Sequence, residues 1–146
     1  MAGSKANYLE DAVLDSVLGK SSTLLSTGAG GVAGTVYIAL YNTTVNDTVT
    51  ALTDECAGST YARIAVTNSS ANWTNSTAGS KQNKTVITFT TAAGADWGTI
   101  QSFAILDAAS TSAGNAYYWG DLTATQAISS GNTVRFSTGA IVITED

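Results

Sequence analysis

The chain has no proline, no histidine and one cysteine, and it carries only six basic and eleven acidic residues among 146. Each shortage removes a class of function. Without histidine there is no Ser-His-Asp or Cys-His relay. One cysteine and no histidine cannot assemble an ordinary zinc site, and Cys56 has no partner for an intrachain disulfide. Its neighbours Asp54 and Glu55 are acidic and disfavour a thiolate, so Cys56 reads as a small buried thiol. The basic residues Lys5, Lys20, Arg63, Lys81, Lys84 and Arg135 form no run, and the formal net charge is −5. Phosphate binding needs clustered Lys and Arg, so no nucleic-acid partner is expected. No stretch reaches the ~20 apolar residues that span a bilayer. The start, MAGSKANYLED, lacks the apolar run of a secretory signal. The expectation is a soluble chain made in a cytoplasm, with no membrane partner. Its Asn-x-Ser/Thr triplets, at Asn42, Asn46, Asn68, Asn72, Asn75 and Asn83, are then unmodified.

What the chain does have is Ala, Ser, Thr, Gly and Asn, interleaved with short apolar runs. Hydrophobic residues make up 44% of it, enough for a folded body with generous polar loops rather than a disordered tract. Residues 7–18, NYLEDAVLDSVL, repeat apolar side chains at helical spacing: Leu9, Val13, Leu14, Val17 and Leu18. Asn7 and Glu10 are spaced as a capping box. Gly19 and Lys20 suit the far end. A helix this short is marginal alone in water, so its apolar stripe must dock on something.

From Thr35 the period falls to two. Strands are predicted at 35–41, 61–67, 84–90, 99–107, 115–122, 132–137 and 140–146, with Trp73 marking a further short one. Val36, Ile38 and Leu40 share one face of the first; Thr35, Tyr37, Ala39 and Tyr41 share the other. In 84–90, Ile87 and Phe89 alternate with Val86 and Thr88. Ser-Ala-Gly-Asn at 112–115 and Ser-Ser-Gly-Asn at 129–132 read as hairpin turns. Short strands without helical crossovers imply antiparallel pairing. The expected fold is mainly β: an antiparallel β-sandwich, of jelly-roll or immunoglobulin-like topology, with one N-terminal amphipathic helix.

The run STGAGGVAGT at 26–35 contains G-x-G-x-x-A at Gly28, Gly30 and Ala33. A dinucleotide site needs a strand before that motif and a helix after it. Here the order is reversed, and the run reads as a hinge. The expected organisation is a helical arm with its glycine-rich hinge at 1–34 and a β-sandwich domain at 35–146. Paired carboxylates are the remaining catalytic device. Asp54 with Glu55, Asp96, Asp107 and Asp121 are the candidates. Asp96 and Asp107 sit beside strand ends, where carboxylates build turns. The ordered calcium loop is absent. No catalytic, cofactor or metal residue is therefore assigned.

Aromatic residues concentrate in the strands: Tyr37, Tyr41, Tyr61, Trp97, Tyr117, Tyr118 and Trp119. Tyr37 and Tyr41 share a face that Val36, Ile38 and Leu40 do not. That face is either a second buried layer or a protein contact.

Taken in order, YLEDAVLDSVLG, VYIALYNT, YARIAVT, ITFTTAAGADWGTIQSFAILDAA, GNAYYWGDL and SSGNTVRFSTGAIVIT resemble a family of small virion proteins of tailed bacteriophages, described as tail-fibre-like or decoration proteins. The most specific pieces are W-G-x-I at Trp97–Ile100, I-L-D-A at Ile105–Ala108 and G-N-x-x-Y-W-G at Gly114–Gly120. The resemblance implies a structural virion protein and transfers no catalytic motif. The chain departs from the family in Asn/Thr-rich stretches near 42–55 and 68–83, expected as exposed tips.

Size, acidity and absent chemistry lead to the expectation of a capsid decoration, or cement, protein. It would bind the major capsid protein outside the shell and bridge subunits beside copies of itself. The arm would dock through Tyr8, Leu9, Val13 and Val17, and the β body through Tyr37, Tyr41 and Tyr61. The alternative is a tail-fibre or receptor-binding component that meets tail proteins and the host surface. Either way the protein is expected in the virion, assembled in the bacterial host cytoplasm.

Overall fold

The computed structural model describes residues 7–18, 34–45, 54–111 and 113–145, with side chains in the helix from Asp11 onward. The helical spacing of the N-terminus is realised as α1, Asn7–Val17. Among the described residues eight strands follow: β1 Thr35–Tyr41, β2 Ile64–Thr67, β3 Ser80–Gln82, β4 Ile87–Thr91, β5 Gly98–Leu106, β6 Ala116–Ile128, β7 Thr133–Phe136 and β8 Val142–Thr144. The fold is mainly β with one short helix, as the sequence implied, and the pairs β1–β5, β5–β6 and β3–β8 are antiparallel. The glycine run at 26–35 lies outside the described residues apart from Gly34 and Thr35. So do Gly19 and Lys20, and so do the side chains of Asn7 and Glu10.

The chain divides into two compact units. One draws on the N-terminal segment up to Gly34, on Thr67–Val86 and on Phe136 onward; the other is built from Thr35–Val66 and Ile87–Arg135. A segment boundary thus falls at Thr35. The helix shares its unit with two stretches of the chain far away in sequence.

The second unit contains a four-stranded sheet in the order β2-β1-β5-β6 and the pair β4-β7. In β1 the period of two separates the faces as expected. Tyr37, Ala39 and Tyr41 stand opposite Leu106, Ala104 and Ser102, while Ile38 and Leu40 stand opposite Ile105 and Phe103. Both faces are filled. Val36, Ile38 and Leu40 are wholly buried, and so are Ala104, Ile105 and Leu106. Ala39, Tyr41, Val45, Ala104 and Leu106 form a buried cluster on the tyrosine side, with Ala116 against it. Burial on both faces explains why the last four residues of β5, Phe103–Leu106, are all apolar.

In β4 the alternation is that of a half-buried strand: Ile87 and Phe89 inside, Thr88 and Thr90 outside. The Phe89 ring lies 6.3 Å from Tyr61 and 6.5 Å from Trp97, and Tyr61 meets Trp97 edge-on at 5.4 Å. The Tyr61 hydroxyl accepts the Leu40 N–H at 2.9 Å, which ties this aromatic layer to β1. Gly58 is required here, because a methyl group built on it would overlap the Trp97 indole.

The two expected turns differ in kind. Residues 107–115 close a β5–β6 hairpin, with Gly114 at φ +98°. Residues 129–132 do not. β6 belongs to the four-stranded sheet and β7 pairs with β4, so this turn carries the chain between sheets. Its Asn132 N–H bonds Ser129 O at 3.0 Å, and the pairing then continues to Ala92 rather than to β6. The local sequence marks the turn; it does not encode the partner strand.

Strand β6 runs well beyond its expected end at 122. Its register jumps from Ser102↔Asp121 to Ile100↔Gln126, so Gln101 alone faces the segment Leu122–Thr125. Such a bulge bends an edge strand away from further pairing.

The first unit is organised around the segment expected as an Asn-rich exposed tip. Residues 68–83 instead contain β3, paired with β8, and Trp73 forms a single antiparallel bridge to Asn83. Ala78 and Gly79 take positive φ, 49° and 69°, in a two-residue turn between the bridged residues Thr77 and Ser80. Paired positive φ values match the tight hairpin turn that suits strand twist. Asn83, wholly buried, gives its side-chain amide to the carbonyls of Thr85 and Ser137 and accepts Ile141 N–H.

Candidate interaction surfaces

In α1 the spacing of Asp11, Leu14, Asp15 and Leu18 sets two acids and two leucines along adjoining lines of the helix. Leu14 and Leu18 are fully buried. The acids grip the 76–81 hairpin. Gly79 N–H donates to Asp11 Oδ1 at 2.8 Å, Ser76 N–H to Asp15 Oδ1 at 3.2 Å, and Lys81 Nζ to the same oxygen at 2.7 Å. Ser76 Oγ donates to the Asp11 carbonyl, and Asn68 Nδ2 to the Val17 carbonyl at the open end of the helix. Burial pushes the Asp15 carboxyl up, but the bonds from Lys81 and Ser76 outweigh it and hold the group below its ordinary value. The helix expected to reach out for a partner is docked within its own unit. Val13 and Val17 remain half-buried; the side chains of Tyr8 and Leu9 lie outside the described residues.

The tyrosines proposed for the β body have three different fates. Tyr37 is half-buried near the start of β1. Tyr41 is buried in the cluster with Ala39, Val45, Ala104 and Leu106, and its hydroxyl finds no hydrogen-bond partner among the described residues. Tyr61 is committed to a polar network. Its hydroxyl donates to Glu55 Oε1 at 2.9 Å while accepting from Leu40. Arg63 grips the same carboxylate with one edge of its guanidinium, Nε to Oε1 and Nη2 to Oε2, each at 2.8 Å. The remaining Nη1 donates to the carbonyls of Ala108 and Ala113, pinning the 107–115 loop from beneath. Burial raises the hydroxyl pKa of both Tyr41 and Tyr61, with the Glu55 charge adding to it.

Two of the strand-end carboxylates are engaged as well. Asp96 accepts Ser130 N–H at 2.7 Å. Asp107 accepts both the backbone and the side-chain N–H of Asn115, and the side-chain bond leads in lowering its pKa. These are the turn-building roles expected for strand-end carboxylates. Cys56 is buried, and burial pushes its thiol up. Among the described residues no group of three metal-ligating side chains converges, and no helix is long and apolar enough to cross a membrane.

Among the described residues, the large hydrophobic side chains left exposed are Val86, Trp119 and Val142. Trp119 on β6, opposite Ala104, is 43% exposed. It lies on the same side of the sheet as Tyr37 and the Tyr41 cluster, whereas Tyr118 and Gly120 face Ile105 and Phe103. Sequence reasoning gave Tyr37 and Tyr41 equal standing and passed over Trp119. The period-two pattern would have placed Trp119 on a face, but which face depends on the β5–β6 register.

A family model described as "Podophage GP4 fiber I protein gp80" matches residues 4–144. The chain belongs to this family. It is therefore a structural, β-rich component of a bacteriophage virion, in a fibre family, and associates with other virion proteins. The match includes the helix and every strand of the described residues. A comparison with curated proteins found no relative.

Proposed function

We propose that the chain is a small structural module of the podophage fibre, acting through protein–protein contacts and catalysing nothing. The observation that carries this reading is the fibre-family match over residues 4–144. The side-chain arrangement supports it. Glu55, Arg63, Lys81 and Asp107, the residues with most chemical potential, are spent on holding loops and the helix in place. Fixed loops and the exposed Trp119 on the edge strand β6 suit recognition of a neighbouring protein. The fibre description favours the alternative raised by the sequence over a cement role on the capsid shell. In the fibre reading the partners are tail proteins and neighbouring copies, and assembly occurs in the host cytoplasm. In the cement reading the partner is the major capsid protein.

Imaging intact virions that carry a tagged copy of this chain separates the two. Density confined to the tail or its fibres, with few copies per particle, supports the fibre reading. Density distributed over the shell in fixed ratio to the capsid protein would replace it with the cement role.

A further inference from the structure

The segment that receives α1 is built without it. Thr74 N–H bonds Gln82 O, and Gln82 N–H bonds Thr74 Oγ1. Lys84 reaches back to Asn72 O and Ser70 O. Glu145 N–H bonds Gly79 O, and β8 pairs with β3 throughout. None of these bonds involves the helix. Residues 68–84 therefore form a pre-shaped cradle: a hairpin turn with outward N–H groups at Ser76 and Gly79, and a nearly buried ammonium at Lys81. The helix reads this cradle with Asp11-x-x-Leu14-Asp15-x-x-Leu18. In binding terms α1 is a short acidic ligand seated on a receptor more than fifty residues away in sequence.

We infer that this cradle takes the α1 helix of a second copy, so that copies join by exchanging their N-terminal helices. The contacts are the same whether the helix comes from its own chain or from a neighbour, which makes exchange of an identical element a low-cost route to assembly. Residues 19–33 separate the helix from the first strand. Fully extended at ~3.3 Å per residue, a segment of that length reaches about 50 Å, enough to pass between adjacent molecules. The pairing of an acidic helix with a lysine cradle is also charge-complementary, in a chain whose net charge of −5 otherwise opposes self-association. The inference concerns how copies join, and it stands whether the protein sits on a fibre or on the shell.

Charge reversal tests it in the full chain. Asp15→Lys sets two ammonium groups against each other at the cradle, and Lys81→Asp sets two carboxylates there, so each variant alone opposes its own docking. Mixed and refolded together, the two chains restore an opposite-charge contact by exchange: the helix of one variant meets a cradle whose charge it complements only in the other chain's reach. The exchanged pairs are then lysine on aspartate in one cradle and the reverse like-with-unlike match is lost in neither, because the Asp15→Lys helix seats on the Lys81→Asp cradle and the unaltered Asp15 helix seats on the unaltered Lys81 cradle. A one-to-one heterodimer by native mass spectrometry, absent from either variant alone, is the expected result. Wild-type full chain with a labelled peptide of residues 5–20 provides a second measurement that needs no folded variant. Anisotropy should show saturable binding, weakened about tenfold or more when the peptide carries the Asp15→Lys change, as loss of a charge-assisted hydrogen bond implies. Wild type that stays monomeric at every concentration and binds no peptide overturns the inference. A mixture of folded variants that forms no heterodimer does so equally. Because neither assay depends on the virion, their failure leaves the fibre reading untouched.

Discussion

Replacing Arg63 by Met probes the polar network beneath the 107–115 loop. The Arg63 side chain is 0% exposed and that of Glu55 3%. The guanidinium makes four hydrogen bonds, two to Glu55 and one each to Ala108 O and Ala113 O. Removing one partner of a buried pair strands the other charge and typically costs about 3–5 kcal/mol. Against a total stability of ~5–15 kcal/mol for a native protein, that is a large share. With a urea m-value of about 2 kcal/mol/M, the midpoint falls by about 2 M. Trp97 fluorescence, in a Trp73→Phe, Trp119→Phe background, reports on the unit that contains the pair. The double variant Glu55→Leu, Arg63→Met removes both charges and recovers most of the loss. It retains a deficit of about 1–3 kcal/mol from the two carbonyls and the Tyr61 hydroxyl that lose their partners. If the single variant costs under about 1 kcal/mol, or the double costs as much as the sum of both single changes, the buried-pair reasoning is wrong.

The remaining predictions concern packing and titration. Gly58→Ala drives a methyl group into the Trp97 indole and should destabilise by about 1–3 kcal/mol or more, with a shift in Trp97 emission; an unchanged melting curve would refute the contact. Tyr41 and Tyr61 have raised pKa values, so the folded state keeps their protons where the unfolded chain releases them. Their contribution is complete below about pH 10 and is lost as pH rises beyond it; ultraviolet titration should show these two hydroxyls ionising only with unfolding. Asp15 works in the opposite sense. Its depressed pKa means its contribution is present above the ordinary carboxylate value and is lost as pH falls through the depressed one, so helix content should drop on that acid limb and not at pH 6. Asn115→Ala removes the side-chain bond to Asp107 and should raise that carboxyl's pKa, measurable by NMR titration.

Local pattern was informative wherever one face of an element met the core. The bounds of α1 and β1, the inward Ile87 and Phe89, and the antiparallel β class all follow from periodicity that a short window contains. The family resemblance was also legible, because it lies in ordered segments rather than in contacts. The partners of Arg63 and Lys81 were not. Each is a lone basic residue in a polar neighbourhood, and nothing nearby in sequence marks Glu55 with Ala108, or Asp15, as its counterpart. Residues 68–83 read as a polar tip because their structure is held by a two-residue turn and side-chain bonds, which leave no apolar period.

By itself, then, the sequence determined that the fold is mainly β with one short helix, where α1 and β1 lie, and which virion family the chain belongs to. Composition and short-range spacing are properties of the unfolded chain and need no fold to be read. Only the tertiary structure decided that the helix is docked, that Tyr41 is buried while Trp119 is exposed, and that the turn at 129–132 changes sheets. Those outcomes depend on strand register and on charge pairs between residues fifty or more positions apart, and such pairing exists only after the chain has closed on itself.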